Sequence, residues 1–238
     1  MSLYKQVRDE LRAQADVDWI PVIKRFFKLG DGEYGYGDKF LGISIPKQRV
    51  IANKYYSVLK LDELSIFLSS PYHEERMFSL IVLTTQSKTL GRAALERNYS
   101  FYMKNLDSVN SWDLVDLSAP ELVGAYLFGG DSSLLFQLAV NSSLWQRRIA
   151  IVATWYFIRR FCFRETLAVA KILLADSEDL IHKAVGWMLR EVGKRDFAVT
   201  YDFLLKNQLK ISRTTLRYAL ELFPKEKRVE LVKSLGKI

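Results

Sequence analysis

Ser177-Glu178-Asp179-Leu180-Ile181-His182-Lys183 is one copy of a pattern that recurs along the chain. In each copy a serine opens a helix, a polar or charged pair follows, and an apolar stripe comes next. The other copies are Ser70-Pro71-Tyr72-His73-Glu74-Glu75-Arg76, Ser111-Trp112-Asp113-Leu114-Val115-Asp116-Leu117 and, offset by one, Ser143-Leu144-Trp145-Gln146-Arg147-Arg148. The steps are 41 residues from Arg76 to Leu117, 31 to Arg148, 35 to Lys183 and 34 to Arg217. Irregular spacing of this size belongs to degenerate helical pairs. It predicts an all-α, curved α-solenoid whose second helices line a concave face.

Outward from the repeats, helical apolar spacing runs over 3–13 and 19–28, with Asp18 as an N-cap and Pro21 in the first turn. Between Gly30 and Asp38 the pattern breaks. Gly30-Asp31-Gly32-Glu33-Tyr34-Gly35 spells GxGxxG, yet a helix precedes it, strand-like Lys39 to Ile45 follows it, and its acids would repel a pyrophosphate. It reads as a Gly-rich hairpin or surface loop over 30–45. From Pro46 the chain is helix after helix, at 45–56, near Asp62 as a cap and Pro71, then over 91–106, 110–118, 120–128, 131–141, 143–160, 164–174, 178–193, 196–206, 212–222 and 225–235. Connections this short predict one HEAT-like domain over 1–238.

Composition narrows the class. Nearly half of the 238 residues are hydrophobic and a quarter charged, as in a soluble globular protein. The single Cys162 forms no internal disulfide, which fits a reducing compartment. The longest apolar run, Ile149 to Ile158, is far short of the roughly twenty residues a bilayer span needs, and Met1 to Ala15 has no apolar core of a signal peptide. A cytoplasmic location, on the nucleoid through DNA, is the expectation. Residues 1–120 carry 16 Lys and Arg against 15 Asp and Glu, whereas 121–238 carry 19 against 12. A basic half points to a polyanion, most often nucleic acid. With two histidines and one cysteine, neither histidine in a motif, no metal site or nucleophilic triad is expected. His73 reads as a polar residue at a helix start and His182 as a groove or packing residue.

Trp112 and Asp116 lie four residues apart, one turn along a helix face, so an indole and a carboxylate point the same way. The repeat register sets Asp116, Arg148 and Lys183 at neighbouring positions of successive inner helices, with Trp187 one turn past Lys183. Two indoles, a carboxylate and a ladder of cations suit cleavage of a glycosidic bond through an oxocarbenium-like state. The carboxylate stabilises that cation by charge, and an aromatic face adds roughly 0.5 to 2 kcal/mol.

The runs Asn110 to Ser118, Leu144 to Ala150, Asp179 to Lys194 and Arg213 to Ala219 resemble the AlkD family of DNA alkylation-repair proteins, in order across about residues 62–224. The resemblance implies a HEAT-like repeat glycosylase that removes cationic N3- and N7-alkylated purines from duplex DNA without flipping the base, with no cofactor or metal. It maps two sugar-contacting tryptophans onto Trp112 and Trp187, the catalytic aspartate onto Asp116 and a backbone-binding arginine onto Arg148. The Gly-rich stretch resembles the hairpin of a branch that includes binders of branched DNA without detected excision.

The remaining cations have two readings each. Arg190 and Lys194 either face the groove or solvate a helix end, and Lys47 and Arg49 either contact a second strand or form a solvated face. Arg213 and Arg217 are reasonable phosphate contacts, and Arg147 is expected outward or paired. Trp19, Trp145 and Trp155 read as packing residues. The expected partner is double-stranded DNA with alkylated purines, or branched DNA, bound by a monomer.

Overall fold

The computed structural model describes residues 2–234, and every regular element among them is a helix. The all-α expectation holds. The helices gather into two compact units, Met1–Leu122 and Val123–Ile238. The first carries 16 Lys and Arg against 16 Asp and Glu, and the second 19 against 11, so the whole net charge of +8 belongs to the second unit.

In the first unit, α1 (Leu3–Arg12), α2 (Ile20–Lys24), α3 (Ile45–Tyr55), α4 (Leu61–Leu68), α5 (His73–Thr89), α6 (Arg92–Lys104) and α7 (Trp112–Ala119) follow in order. The organising helix is α5, against which α3, α4, α6 and α7 pack. Met77, Phe78, Leu80, Ile81, Val82 and Leu83 are all buried, an apolar surface on every side that only an interior helix carries. Its first turn is different, because His73, Glu74, Glu75 and Arg76 are buried as well. Buried charges demand partners, and these have them. Glu75 takes a hydrogen bond from Arg12 Nε at 2.6 Å, fastening α1. Glu74 accepts the backbone N–H groups of Leu41, Gly42 and Ile43 at 2.9, 2.8 and 3.3 Å. Arg76 donates to Asp38 Oδ1 at 2.6 Å and to the Ser70 carbonyl at 3.0 Å.

These bonds correct the strand-like reading of 39–45. The segment forms no strand: Lys39 pairs with the backbone of Pro71 and His73, the N–H groups of Leu41, Gly42 and Ile43 go to the Glu74 carboxylate, and Ile45 already opens α3. Among the described residues the one bridge is Lys39 with Tyr72. Gly30 to Gly37 is accordingly a loop of turns and not a hairpin. Gly42 sits at φ +80°, where a Cβ would meet the Asp16 carbonyl oxygen at 1.9 Å, so the close crossing of 16 and 42 admits glycine alone. The helix read over 19–28 is confined to Ile20–Lys24, after which tighter i→i+3 bonds take over at Arg25, Phe26 and Phe27. Asp18 lies inside the preceding short 3₁₀ turn, Val17–Trp19, and caps nothing, while Trp19 is 46 % exposed rather than packed.

The second unit contains α8 (Ala125–Leu127), α9 (Ser133–Ala139), α10 (Leu144–Ala153), α11 (Trp155–Ile158), α12 (Arg164–Leu173), α13 (Asp179–Gly193), α14 (Phe197–Lys206), α15 (Arg213–Ala219) and α16 (Lys225–Ser234). Residue 235, included in the last expected helix, lies outside the described residues. The helix expected over 120–128 is instead a wide π turn, Pro120–Gly124, leading into α8, since Pro120 lacks the N–H that an α-helix needs there. The helix expected over 143–160 divides at Thr154, whose Oγ1 donates to the Ile151 carbonyl at 2.6 Å. No helix of the described residues is long and apolar enough to cross a membrane.

Here α13 is central, packing against α10, α12, α14 and α15. Its closest neighbour is α15. A Cβ on Gly186 would lie 2.5 Å from Tyr218 Cβ and 2.6 Å from the Thr215 carbonyl oxygen. Gly186→Ala therefore forces two helices apart and is expected to cost about 1–3 kcal/mol. Urea denaturation checks this, and an unchanged midpoint would contradict the close approach.

Candidate active site

Helix α7 begins after Ser111, whose extended backbone is buried and whose side chain makes no cap. Leu114, Val115, Ser118 and Ala119 face inward, which leaves Trp112, Asp113, Asp116 and Leu117 on the half-exposed flank. Trp112 and Asp116 thus share the outer side of α7, as their spacing requires. The Asp116 charge is felt at Tyr102. Burial holds the Tyr102 phenol well above its usual range, and the Asp116 charge adds to the effect even though the hydroxyl lies 3.1 Å from Ser118 Oγ.

Beside Trp112 stands a cluster that spacing did not reveal. His73, 3 % exposed, lies with Nε2 2.8 Å from Asp113 Oδ2 on α7 and Nδ1 3.1 Å from Asp38 Oδ2 of the loop. Burial opposes its charge, but hydrogen bonds to Asp113 and Asp38, with their negative charges, overcome this and raise its pKa to about 9. Burial likewise opposes the Asp38 charge, while His73 and Arg76 hold that carboxyl below the usual range. Phe27 completes the cluster, stacked on Trp112 at 5.7 Å and edge-on to His73 at 5.0 Å. Phe40 stacks on the imidazole at 5.2 Å.

In the second unit, α13 carries Lys183, Trp187 and Arg190 along one helix, with Lys194 at its C-cap. Trp187 is half-buried, its indole 5.3 Å from that of Trp155, over which the Arg159 guanidinium lies at 5.2 Å. Trp155 is thus a packing residue, and what it packs against is Trp187. Lys183 pairs with Asp179 at 2.8 Å, and Lys183 and Thr214 together favour the Asp179 carboxylate over its burial. Arg190 and Lys194 meet the buried Glu191 at 3.6 and 2.6 Å, and Arg190 also bonds Glu221. A phosphate approaching either must compete with carboxylates. Arg148, 5 % exposed, donates through Nη1 to the Leu180 carbonyl at 2.6 Å. Arg147 is paired, with Asp176 at 2.6 Å. Arg213 and Arg217 are exposed one turn apart on α15, with no ion pair among the described residues. In the first unit Lys47 and Arg49 are also exposed, Lys47 reaching the Gln14 carbonyl at 3.4 Å.

The model of a family described as DNA alkylation repair enzyme matches residues 7–223. The chain belongs to that family. Among solved structures, one titled a predicted DNA alkylation repair enzyme from Enterococcus faecalis has the same fold, with TM-score 0.66 and 15 % identity over 89 % of this chain and 98 % of that one. No curated protein matched. Membership makes this chain an AlkD-like DNA alkylation-repair enzyme of HEAT-like helical fold.

In this alkylation-repair protein the shared flank of Trp112 and Asp116 was legible in the sequence because their relation is local. The neighbouring cluster of His73, Asp38, Asp113 and Phe27 was not, and the run His73-Glu74-Glu75-Arg76 at a helix start was the one signal of it. The cluster has a consequence for stability. The pKa of His73 is raised on folding from an ordinary 6.5 to about 9, so its contribution is complete below about 6.5 and is lost as pH rises through about 9. The loss amounts to about 3 kcal/mol. Urea midpoints across this range should fall in the wild type and lose most of that dependence in His73→Gln. Parallel curves would contradict the assignment.

Proposed function

We propose that this protein is a DNA N-glycosylase that hydrolyses the glycosidic bond of cationic N3- and N7-alkylated purines in duplex DNA, without flipping the base. What supports the reading is the pairing of Trp112 and Asp116 on the outer flank of α7 in a chain of this family. In the reaction the C1′–N bond breaks with its electron pair going to the purine, which leaves neutral, so no general acid is needed. Positive charge builds on the deoxyribose. Asp116 stabilises it through space and helps place the water that adds to C1′ and releases a proton. Trp112 and Trp187 are each assigned to the sugar, where an aromatic face favours a developing cation.

Phosphates are assigned first to the exposed Arg213 and Arg217. Lys183, Arg190 and Lys194 join them by exchanging carboxylate partners, and Arg148 through a guanidinium already anchored on Leu180. Lys47 and Arg49 are assigned to the second strand. The expected partner is alkylated duplex DNA bound by a monomer, and the expected location is the cytoplasm, on the nucleoid.

A second reading, a non-catalytic binder of branched DNA, is favoured by the segment beside Trp112. Phe26 and Tyr36 are 67 % and 66 % exposed, with Lys24, Arg25 and Lys28 exposed around them.

Single-turnover release from duplex DNA containing one N7-methylguanine separates the two. The wild type should release the base, and Asp116→Asn should lose about a hundredfold or more in rate while still binding duplex. Release no faster than the spontaneous rate, with the same blank on N3-methyladenine, would leave the branched-DNA binder. Affinity should fall with salt at a log–log slope of about 0.9 per phosphate contact. Replacing Arg213 and Arg217 together by Gln should lower that slope by about 2. An unchanged slope would remove both from the interface.

A further inference from the structure

We propose that His73 is a positioning residue for base excision: as an imidazolium clamped between Asp38 and Asp113, it sets the start of α7 and with it the indole of Trp112. The proposal deepens the excision reading of the α7 pair and rests on it. Its basis is geometric. Both ring nitrogens of His73 face carboxylate oxygens, at 3.1 and 2.8 Å. An ionised carboxylate only accepts, and a neutral imidazole has one N–H to give. The doubly protonated ring alone satisfies both partners.

The clamp reaches Trp112 by two routes. Asp113 is the next residue on α7, so its grip on His73 fixes how far and at what rotation the helix begins. Asp113 Oδ1 also accepts the Leu114 N–H at 3.0 Å, which orders the same turn. Through space, Phe27 touches both rings, edge-on to His73 and stacked on Trp112, so the imidazole supports the surface on which the indole lies. The groups facing His73 are accounted for on each side. Asp38 comes from the Gly-rich loop, with Arg76 of α5 on its other oxygen; Asp113 comes from α7; Phe27 and Phe40 close the ring faces; and the neighbouring Glu74 is turned away onto the 41–43 backbone. Among the described residues the nearest cation on this network is Arg76, held on the far oxygen of Asp38.

The same arrangement couples the loop to the site. Asp38 ends the Gly-rich stretch, so deprotonating His73 releases either the loop or α7 from the shared ring. The raised pKa of His73 places this event near pH 9, which leaves the clamp closed at neutral pH and opens it in alkali.

Two readouts test the proposal on the full-length protein. The first is the single-turnover rate on N7-methylguanine duplex as a function of pH, with duplex affinity measured alongside. The wild-type rate should fall as pH rises through about 9. His73→Gln should be slower by about tenfold to a hundredfold at neutral pH, with little change in affinity and no inflection. Asp113→Asn, which removes one carboxylate and keeps its shape, should move the inflection to lower pH, an effect that loss of packing alone does not produce. The second readout needs no activity. The emission of Trp112, taken as the difference between wild type and Trp112→Phe, should shift through the same pH range and should not do so in the His73→Gln background.

A wild type without release on either lesion would overturn the glycosylase reading and leave the emission titration to decide the clamp. A Trp112 emission that does not titrate, or titrates alike without His73, would overturn the clamp. Should His73→Gln fail to fold by circular dichroism, Asp113→Asn decides with the same two readouts. An inflection left at the wild-type pH would then overturn the proposal.

Discussion

A buried imidazole between two carboxylates is the constraint on which the first half of this molecule turns. Both oxygens accept, both ring nitrogens must therefore donate, and the ring is held as a cation. A cation at the N-terminus of α5 runs against the helix dipole, which favours negative charge there. The opposition is overcome by Asp38 and Asp113 on the ring and by Glu74 and Glu75 in the same turn, which themselves suit that helix end. Four consecutive buried charges are tolerable because each has a partner of its own or shares one carboxylate through different oxygens. Glu75 takes α1 through Arg12, Glu74 the 41–43 backbone, Arg76 and His73 the end of the loop, and His73 also α7. Breaking one partner from such a set leaves an uncompensated buried charge, a loss of about 3–5 kcal/mol.

The site follows from that anchoring. Trp112 and Asp116 ride on a helix of eight residues, too short to hold its own position by propensity. Its inner face, Leu114, Val115, Ser118 and Ala119, fixes depth, and Asp113 on His73 fixes rotation. The second unit solves the corresponding problem by packing. Gly186 lets α15 lie against α13 within van der Waals reach, and Trp155 backs Trp187 with a second indole. Each of the two tryptophans is thus braced by an aromatic partner, Phe27 in one case and Trp155 in the other.

Local relations were legible in the sequence and distant ones were not. Trp112 and Asp116, or Lys183 and Trp187, are one helical turn apart, so a period of 3.6 places them on a common side before any tertiary structure is known. Asp38, His73 and Asp113 are separated by 35 and 40 residues, and no period joins them. The run 39–45 has strand-like residues, but a strand needs a partner backbone, and the N–H groups of Leu41, Gly42 and Ile43 found the Glu74 side chain instead. The apolar run through Ile149–Ile158 gives no sign that Thr154 closes one helix and starts another. Arg190 and Lys194 were legible as cations on α13. The buried Glu191 that holds both was not, because nothing local marks a glutamate as interior.

The charge of His73 is what the account stands on, and nuclear magnetic resonance of protein labelled at the histidine ring nitrogens reads it directly, with His182→Gln to assign the signals. Two protonated nitrogens at neutral pH, with one proton lost near pH 9, are the expected result. A single N–H at neutral pH would contradict the account, since a neutral ring cannot hold Asp38 and Asp113 at once.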